Sequence, residues 1–205
     1  MSTPNKKPTF SVIMAVQDQP QMLATCLPAL LSLQYEGYEV IVVDGSSTDE
    51  SAEVLKQLRA DNPHLYTTFL PKYQFQRDRR RLAFTIGVKA AKHEWLVFAD
   101  LATTPPHDQW LAELSEFCCA PALLHLGYVN KKSGDVRLRS FENLSQARQL
   151  VSKAERWRAG IGHDRWMKAL QRKANYDFIA VRADHGHELL RLFALDPQML
   201  VPKDR

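Results

Sequence analysis

The sequence predicts an α/β fold, a mostly parallel sheet flanked by helices. Three observations carry that prediction. Phe10-Ser-Val-Ile-Met-Ala-Val16 and Glu39-Val-Ile-Val-Val-Asp44 are short, continuous apolar runs, the pattern of strands buried on both faces. Each is followed by a helical pattern, as in consecutive βα units. The second run ends on a carboxylate, and so does a third, Trp95-Leu-Val-Phe-Ala-Asp100. Ligands in open α/β sheets bind just beyond the carboxyl ends of the strands, so these acids mark a nucleotide-facing edge.

After strand 10–16, Met22, Leu23, Cys26, Leu27, Leu30 and Leu31 repeat at helical spacing and predict a helix over 22–33, with Pro28 where it can bend. Strand 39–43 leads into Gly45-Ser-Ser-Thr-Asp49, whose hydroxyls offer caps for a helix over 49–59. Asn62-Pro63 ends that helix, and a weaker strand covers 66–70. A basic turn, Gln76-Arg-Asp-Arg-Arg-Arg81, opens a helix over 79–91 before the strand at Trp95. Thr103-Thr-Pro-Pro-His107 predicts a turn and Asp108–Phe117 a helix. Strands are expected at 123–129 and 135–138 around a Lys131-Lys-Ser-Gly134 turn, then a helix over 144–159. Beyond Gly160 the periodicity weakens.

At 205 residues, 45% hydrophobic and 24% charged, the chain suits one globular domain. No apolar run approaches the roughly 20 residues that span a bilayer, and no signal-type h-region follows Met1–Pro8. Cys26, Cys118 and Cys119 show no Cys-x-x-Cys spacing and read as free thiols. These features predict a cytoplasmic protein. The net charge of +4 is uneven: residues 145–173 hold eight Lys/Arg against Glu155 and Asp164. With Trp157 and Trp166 interleaved, residues 144–173 are a candidate for peripheral contact with the inner face of a membrane. No motif points to nucleic acid.

Three blocks, residues 10–16, Cys26-Leu-Pro-Ala-Leu-Leu31 and Glu39–Ser51, together with Arg80-Arg-Leu-Ala-Phe-Thr-Ile-Gly-Val-Lys-Ala-Ala91 and Glu94–Asp100, resemble family 2 glycosyltransferases of the GT-A fold. The stretch from Arg79 to Trp110 resembles glycosyltransferases of Bacteroidetes-type bacteria in particular. The resemblance implies a flexible 1–8, a nucleotide-binding core over 9–130 and a shortened acceptor-side region over 131–205. It implies a nucleotide-sugar donor, UDP-linked, and inverting transfer to a glycan or lipid-linked acceptor in cell-envelope polysaccharide biosynthesis.

It also assigns residues. Asp44 matches the acid that holds the nucleoside, with Asp18 in the first loop as a second base-contacting group. The acid that usually comes next is Gly45 here. Arg79, Arg80 and Arg81 stand where a basic residue approaches the diphosphate, which a guanidinium fork suits. The family's Asp-x-Asp, which binds Mg²⁺ or Mn²⁺, reads Asp100-Leu101-Ala102, so metal affinity is weakened. An inverting enzyme also needs a general base. The family's acidic pair is absent after Gly160, leaving Asp164, Asp177, Asp184, Glu188 and Asp196 as single candidates. His185-Gly-His187, if on a strand, places two imidazoles on one face as a further metal candidate. A catalytically inactive binding module, or a truncated transferase, is the alternative that these losses favour.

Overall fold

The computed structural model describes residues 7–71, 79–99, 101, 105, 107–118, 121–130, 133–146 and 178–192. These form one seven-stranded sheet. Along the chain run β1 (Phe10–Val16), α1 (Pro20–Leu31), β2 (Tyr38–Asp44), α2 (Ser51–Asp61), β3 (Leu65–Phe69), α3 (Arg79–Ala90) and β4 (Trp95–Ala99). Then come α4 (Trp110–Phe117), β5 (Leu124–Val129), β6 (Val136–Phe141), β7 (Phe178–Arg182), a 3₁₀ turn (Ala183–His185) and α5 (Gly186–Leu192). Across the sheet the strands lie in the order β3-β2-β1-β4-β7-β5-β6.

β1 pairs in parallel with β2 over its whole length and with β4 over Phe10–Ile13, and β2 pairs in parallel with β3. The residues of β1, β2 and β4 are nearly all buried because helices cover both faces, as the continuous apolar runs predict. On one face Phe10, Val12 and Met14 meet Leu23, Leu27 and Leu30 of α1, with Trp110 and Leu114 of α4 in the same core. On the other, Ile13, Ile41 and Phe98 meet Phe84 of α3 and Leu189 of α5. Ser11 Oγ donates to Glu39 Oε1 (2.7 Å), and Lys92 N donates to the same oxygen (2.8 Å). That satisfies a buried carboxylate at the amino edge of the sheet.

Two helix starts lie later than predicted. α2 begins at Ser51 and α4 at Trp110, with no side-chain cap on Glu50 or Gln109. Ser47 and Thr48 instead bond across to other loop residues, and Asp49 Oδ1 accepts from Ser51 N (2.9 Å). α1 starts earlier, with Pro20 at the first position, where its missing N–H costs nothing. β6 runs on to Phe141 because it pairs fully with β5. Residues 144–146 are helical, and the rest of the predicted 144–159 helix lies outside the described residues.

The largest departure is β7, which no pattern in the sequence predicts. It runs antiparallel between β4 and β5 and brings the chain back to the middle of the sheet. The Phe178 ring lies directly over Gly127, where a Cβ would come within 2.1 Å of Phe178 Cζ. Trp110 then meets Phe178 edge-on at 4.9 Å. Only glycine at 127 lets that aromatic pair close the core.

His125 on β5 is fully buried, its ring 5.3 Å from that of Trp95. Nδ1 is 2.8 Å from Ser140 Oγ, and Nε2 has no hydrogen-bond partner among the described residues. Burial lowers its pKa from the ordinary 6.5 to about 4, partly offset by the Phe117 backbone. Between those values the unfolded chain binds a proton that the folded chain refuses, so stability falls as pH drops through that window. The loss is about 3 kcal/mol for one such group. Denaturant unfolding of the wild type and of His125→Phe at pH 7, 5.5 and 4.5 should show a flatter acid limb in the variant. Equal acid sensitivity in both would assign the effect elsewhere.

Candidate functional site

Parallel pairing sets the ends of β1 and β2 side by side, with Val16 opposite Asp44. The loops that leave them, 17–19 and 45–50, therefore meet above the same edge. Asp18 N donates to Ser47 Oγ (2.8 Å), while Asp18 Oδ1 accepts from Thr48 N (2.8 Å) and Thr48 Oγ1 (3.3 Å). Gln19 N donates to the buried Ser51 Oγ (3.2 Å). Asp44 Oδ1 accepts from Ser47 N (3.0 Å) and Ser47 Oγ (2.6 Å). Ser47 thus joins Asp18 to Asp44, the two acids that the sequence singles out.

Asp18 and Ser46 hold φ of 50° and 63°. Aspartate adopts that region more readily than most residues, through bonds of its short polar side chain. Ser46 is fixed by a hydrogen bond from its Oγ to Leu70 O. Gly45 N donates to Val16 O (2.7 Å). A Cβ at 45 would sit 3.1 Å from that oxygen and 3.2 Å from Gln17 Cβ and Oε1. The close approach of the two loops is the local reason for glycine where the family has a second acid.

Arg79, the first residue of α3, donates from Nη2 to Gly45 O (2.7 Å). It reaches the same rim, on the Gly45 side. Arg80 and Arg81 occupy the first turn of α3, but their side chains lie outside the described residues. So do Asp100, next in the chain after β4, and Asp164, Asp177 and Asp196.

The late candidates lie elsewhere. β7 runs antiparallel to β4, with Ala99 opposite Phe178 and Trp95 opposite Arg182. Beyond Arg182 the chain therefore leaves at the amino end of β4, and Ala183 N donates to Glu94 O (2.8 Å). Trp95 and Ala99 are separated by roughly 13 Å of extended strand. Asp184, His185, His187 and Glu188 thus stand at the opposite edge from Asp44, away from the loops that carry Asp18 and Asp44. His185 and His187 also lie on helical turns rather than a strand, where residues two apart do not share a face. Asp184 Oδ2 accepts from Arg182 Nη2 (2.8 Å), and His185 Nδ1 is 3.4 Å from Glu188 Oε2, an exposed local cluster.

No three His, Cys, Asp or Glu among the described residues come together in a cation site. The Asp100-Leu101-Ala102 sequence offers one carboxylate, and Leu101 is buried. This donor set does not fit a cation on its own. No helix among the described residues is long and apolar enough to cross a membrane. Ser47 and Thr48 do not stand out in the sequence as site residues, because Ser-Ser-Thr before a helix is also the pattern of an ordinary cap.

Comparison with known proteins agrees with this architecture. The chain is 24% identical over 113 residues to a poly-beta-1,6-N-acetyl-D-glucosamine synthase of Staphylococcus aureus, covering 51% of this chain and 26% of that protein. A similar match, 25% over 105 residues, covers 48% of the chain and 30% of a dolichyl N-acetyl-alpha-D-glucosaminyl phosphate 3-beta-D-2,3-diacetamido-2,3-dideoxy-beta-D-glucuronosyltransferase of Methanococcus voltae. The chain therefore matches less than a third of the length of these curated relatives. Among solved structures, the mannosyltransferase PcManGT from Pyrobaculum calidifontis, in complex with GDP-Man and Mn²⁺, superposes with a TM-score of 0.60 at 14% identity, covering 91% of this chain and 48% of its own. S. aureus TarS 1–349 gives 0.51 at 20% identity, over 62% and 37%. At these identities the structures show the shared GT-A fold. The sequence profile described as Glycosyl transferase family 2 matches residues 11–181, most of the chain. With the sheet order and the loop rim, that match places this chain in glycosyltransferase family 2.

Proposed function

We propose that the chain binds a UDP-sugar at the rim built by loops 17–19 and 45–50 and serves inverting transfer to a glycan or lipid-linked acceptor of the cell envelope. The reading puts it on the cytoplasmic side of the membrane, with residues 9–130 as the donor core and 131–205 as the acceptor side. The observation that carries it is Asp44, held at the end of β2 with Oδ1 taken twice by Ser47. Oδ2 has no partner among the described residues and is the oxygen left to accept from a base. Uracil presents a single ring N–H between two carbonyls, which suits one free carboxylate oxygen. Guanine presents two adjacent donors and suits a carboxylate with both oxygens free.

Each of the chain's own groups then has a task. Asp18, bonded to Thr48, keeps the two loops together under the nucleoside. Arg79, with Arg80 and Arg81 on the same turn, supplies positive charge for the diphosphate. Asp100 contributes a single carboxylate, so a divalent cation adds little to donor binding. The base is an acid of the 147–177 segment, Asp164 or Asp177. Asp177 directly precedes Phe178, and Phe178's register partner Ala99 directly precedes Asp100. Ala102 favours one second reading, a donor-binding module without turnover. A general base alone contributes about 10²–10⁴-fold in rate, so release of sugar from a bound UDP-sugar separates the two.

Calorimetric titration with UDP, GDP and a panel of their sugars, with and without Mn²⁺, tests the site. UDP should bind in preference to GDP, and Asp44→Ala should weaken it by about tenfold or more, as for loss of a charge-assisted hydrogen bond. Asp18→Asn should keep affinity, since its Oδ1 accepts the same bonds at positive φ, whereas Asp18→Ala should not. Binding of no nucleotide, or equal binding by Asp44→Ala, would sink the reading. A separate expectation concerns residue 102. Ala102→Asp should make UDP binding Mn²⁺-dependent, read as a gain in affinity only when the metal is added. An unchanged isotherm would show that the missing carboxylate is not what weakens the metal.

A further inference from the structure

The β5–β6 hairpin carries a basic surface that the donor rim does not use. Tyr128 on β5 lies opposite Arg137 on β6, and Leu126 lies opposite Arg139. Alternation along a strand sets Arg137, Arg139 and Phe141 on one face of β6, with Tyr128 and Leu126 beside them on β5. The inner end of this face is core, since Leu124 and Phe141 are buried, and the outer end is open, with Tyr128, Arg137 and Arg139 exposed. The Arg139 guanidinium lies 5.4 Å from the Phe141 ring centroid, which holds its stem along the sheet.

Neither arginine has a carboxylate partner among the described residues. Asp135, the nearest acid before them, has Oδ2 taken up by Ser133 Oγ (2.6 Å) in the hairpin turn. Two guanidinium groups on one face of β6, neither with a carboxylate partner among the described residues and with a phenol beside them, carry the charge and the donors that suit a phosphate or diphosphate.

The position gives this surface a purpose. Gly127 is level with Phe178, and Phe178 with Ala99. Tyr128 and Arg137 thus project one step past the end of β4, on the same edge as Asp44. β2 and β5 are four strand spacings apart, about 19 Å, with the end of β4 between them. We infer that Arg137, Arg139 and Tyr128 bind the phosphate or diphosphate carried by the acceptor, holding it across the end of β4 from the donor. That the anion belongs to an acceptor rests on the glycosyltransferase reading, whereas anion binding at these residues stands by itself.

The full chain, pre-saturated with UDP to fill the donor rim, would be titrated with inorganic pyrophosphate by calorimetry. The variants are Arg137→Gln/Arg139→Gln and, as a control of equal charge at the opposite edge, Lys92→Gln/Arg182→Gln. Pyrophosphate should bind the wild type and the control alike and the hairpin variant about tenfold or more weakly, as expected when charge-assisted bonds are lost. UDP titration of the same variants should be unchanged. A pyrophosphate site indifferent to the hairpin arginines, or equally weakened in the control, would overturn the proposal. So would loss of binding to phosphatidylglycerol vesicles in the hairpin variant with no pyrophosphate site, which would make the hairpin a membrane contact. Failure of UDP binding in the wild type, with pyrophosphate binding intact, would remove the donor reading and leave the anion site standing.

Discussion

The fold depends on one constraint, the parallel pairing of β1 with β2 on one side and β4 on the other. Parallel strands cannot be joined by tight hairpins, so each connection must cross a face of the sheet, and helices α1 and α3 make those crossings. Both faces are buried as a result, and the strands become continuous apolar runs. The carboxyl ends of β1, β2 and β4 must then lie at one edge, and the loops after β1 and β2 bring Asp18, Asp44, Ser47 and Thr48 together there. Antiparallel β7 obeys the same geometry in reverse. By entering at Phe178 and leaving at Arg182, it carries the 3₁₀ turn and α5 to the far edge.

How legible each feature is in the sequence tracks how locally it is determined. β1, β2 and β4 can be read because double burial writes itself into consecutive residues. α3 can be read because Leu82, Ala83, Ile86 and Ala90 repeat along it. Helix starts are displaced where hydroxyls have two uses: Ser47 and Thr48 bond to Asp44 and Asp18 rather than cap α2. β7 cannot be read, since Phe-Ile-Ala-Val-Arg is a short apolar run whose partners lie more than fifty residues earlier. The same gap hides the placement of His185 and His187. Without the direction of β7, nothing in the sequence says at which edge they emerge.

The departures from the family pattern at Gly45 and Ala102 have different physical standing. Gly45 has a local reason in the structure, because a Cβ there would press on the Val16 carbonyl and the Gln17 side chain at 3.1–3.2 Å. Ala102 has no such account. Replacing a carboxylate by a methyl group removes a ligand for a hard cation and adds nothing that could replace it. The first change is compatible with an intact nucleoside site, and the second bears on metal and diphosphate alone.

This separation bears on what kind of site the rim is. Its hydrogen bonds are already made within the chain: Ser47 to both acids, Thr48 to Asp18, and Arg79 to Gly45. Two residues there, Asp18 and Ser46, hold positive φ, at a cost of about 1 kcal/mol or more each. Surroundings that hold such residues in place have ordered the loops before any ligand arrives. A ligand that meets ordered loops spends little of its binding energy on freezing them. The rim therefore has its framework in place before the donor that we propose for it arrives. Binding and turnover are therefore separable questions under the proposed function, and binding is the one that this ordered rim makes the first to test.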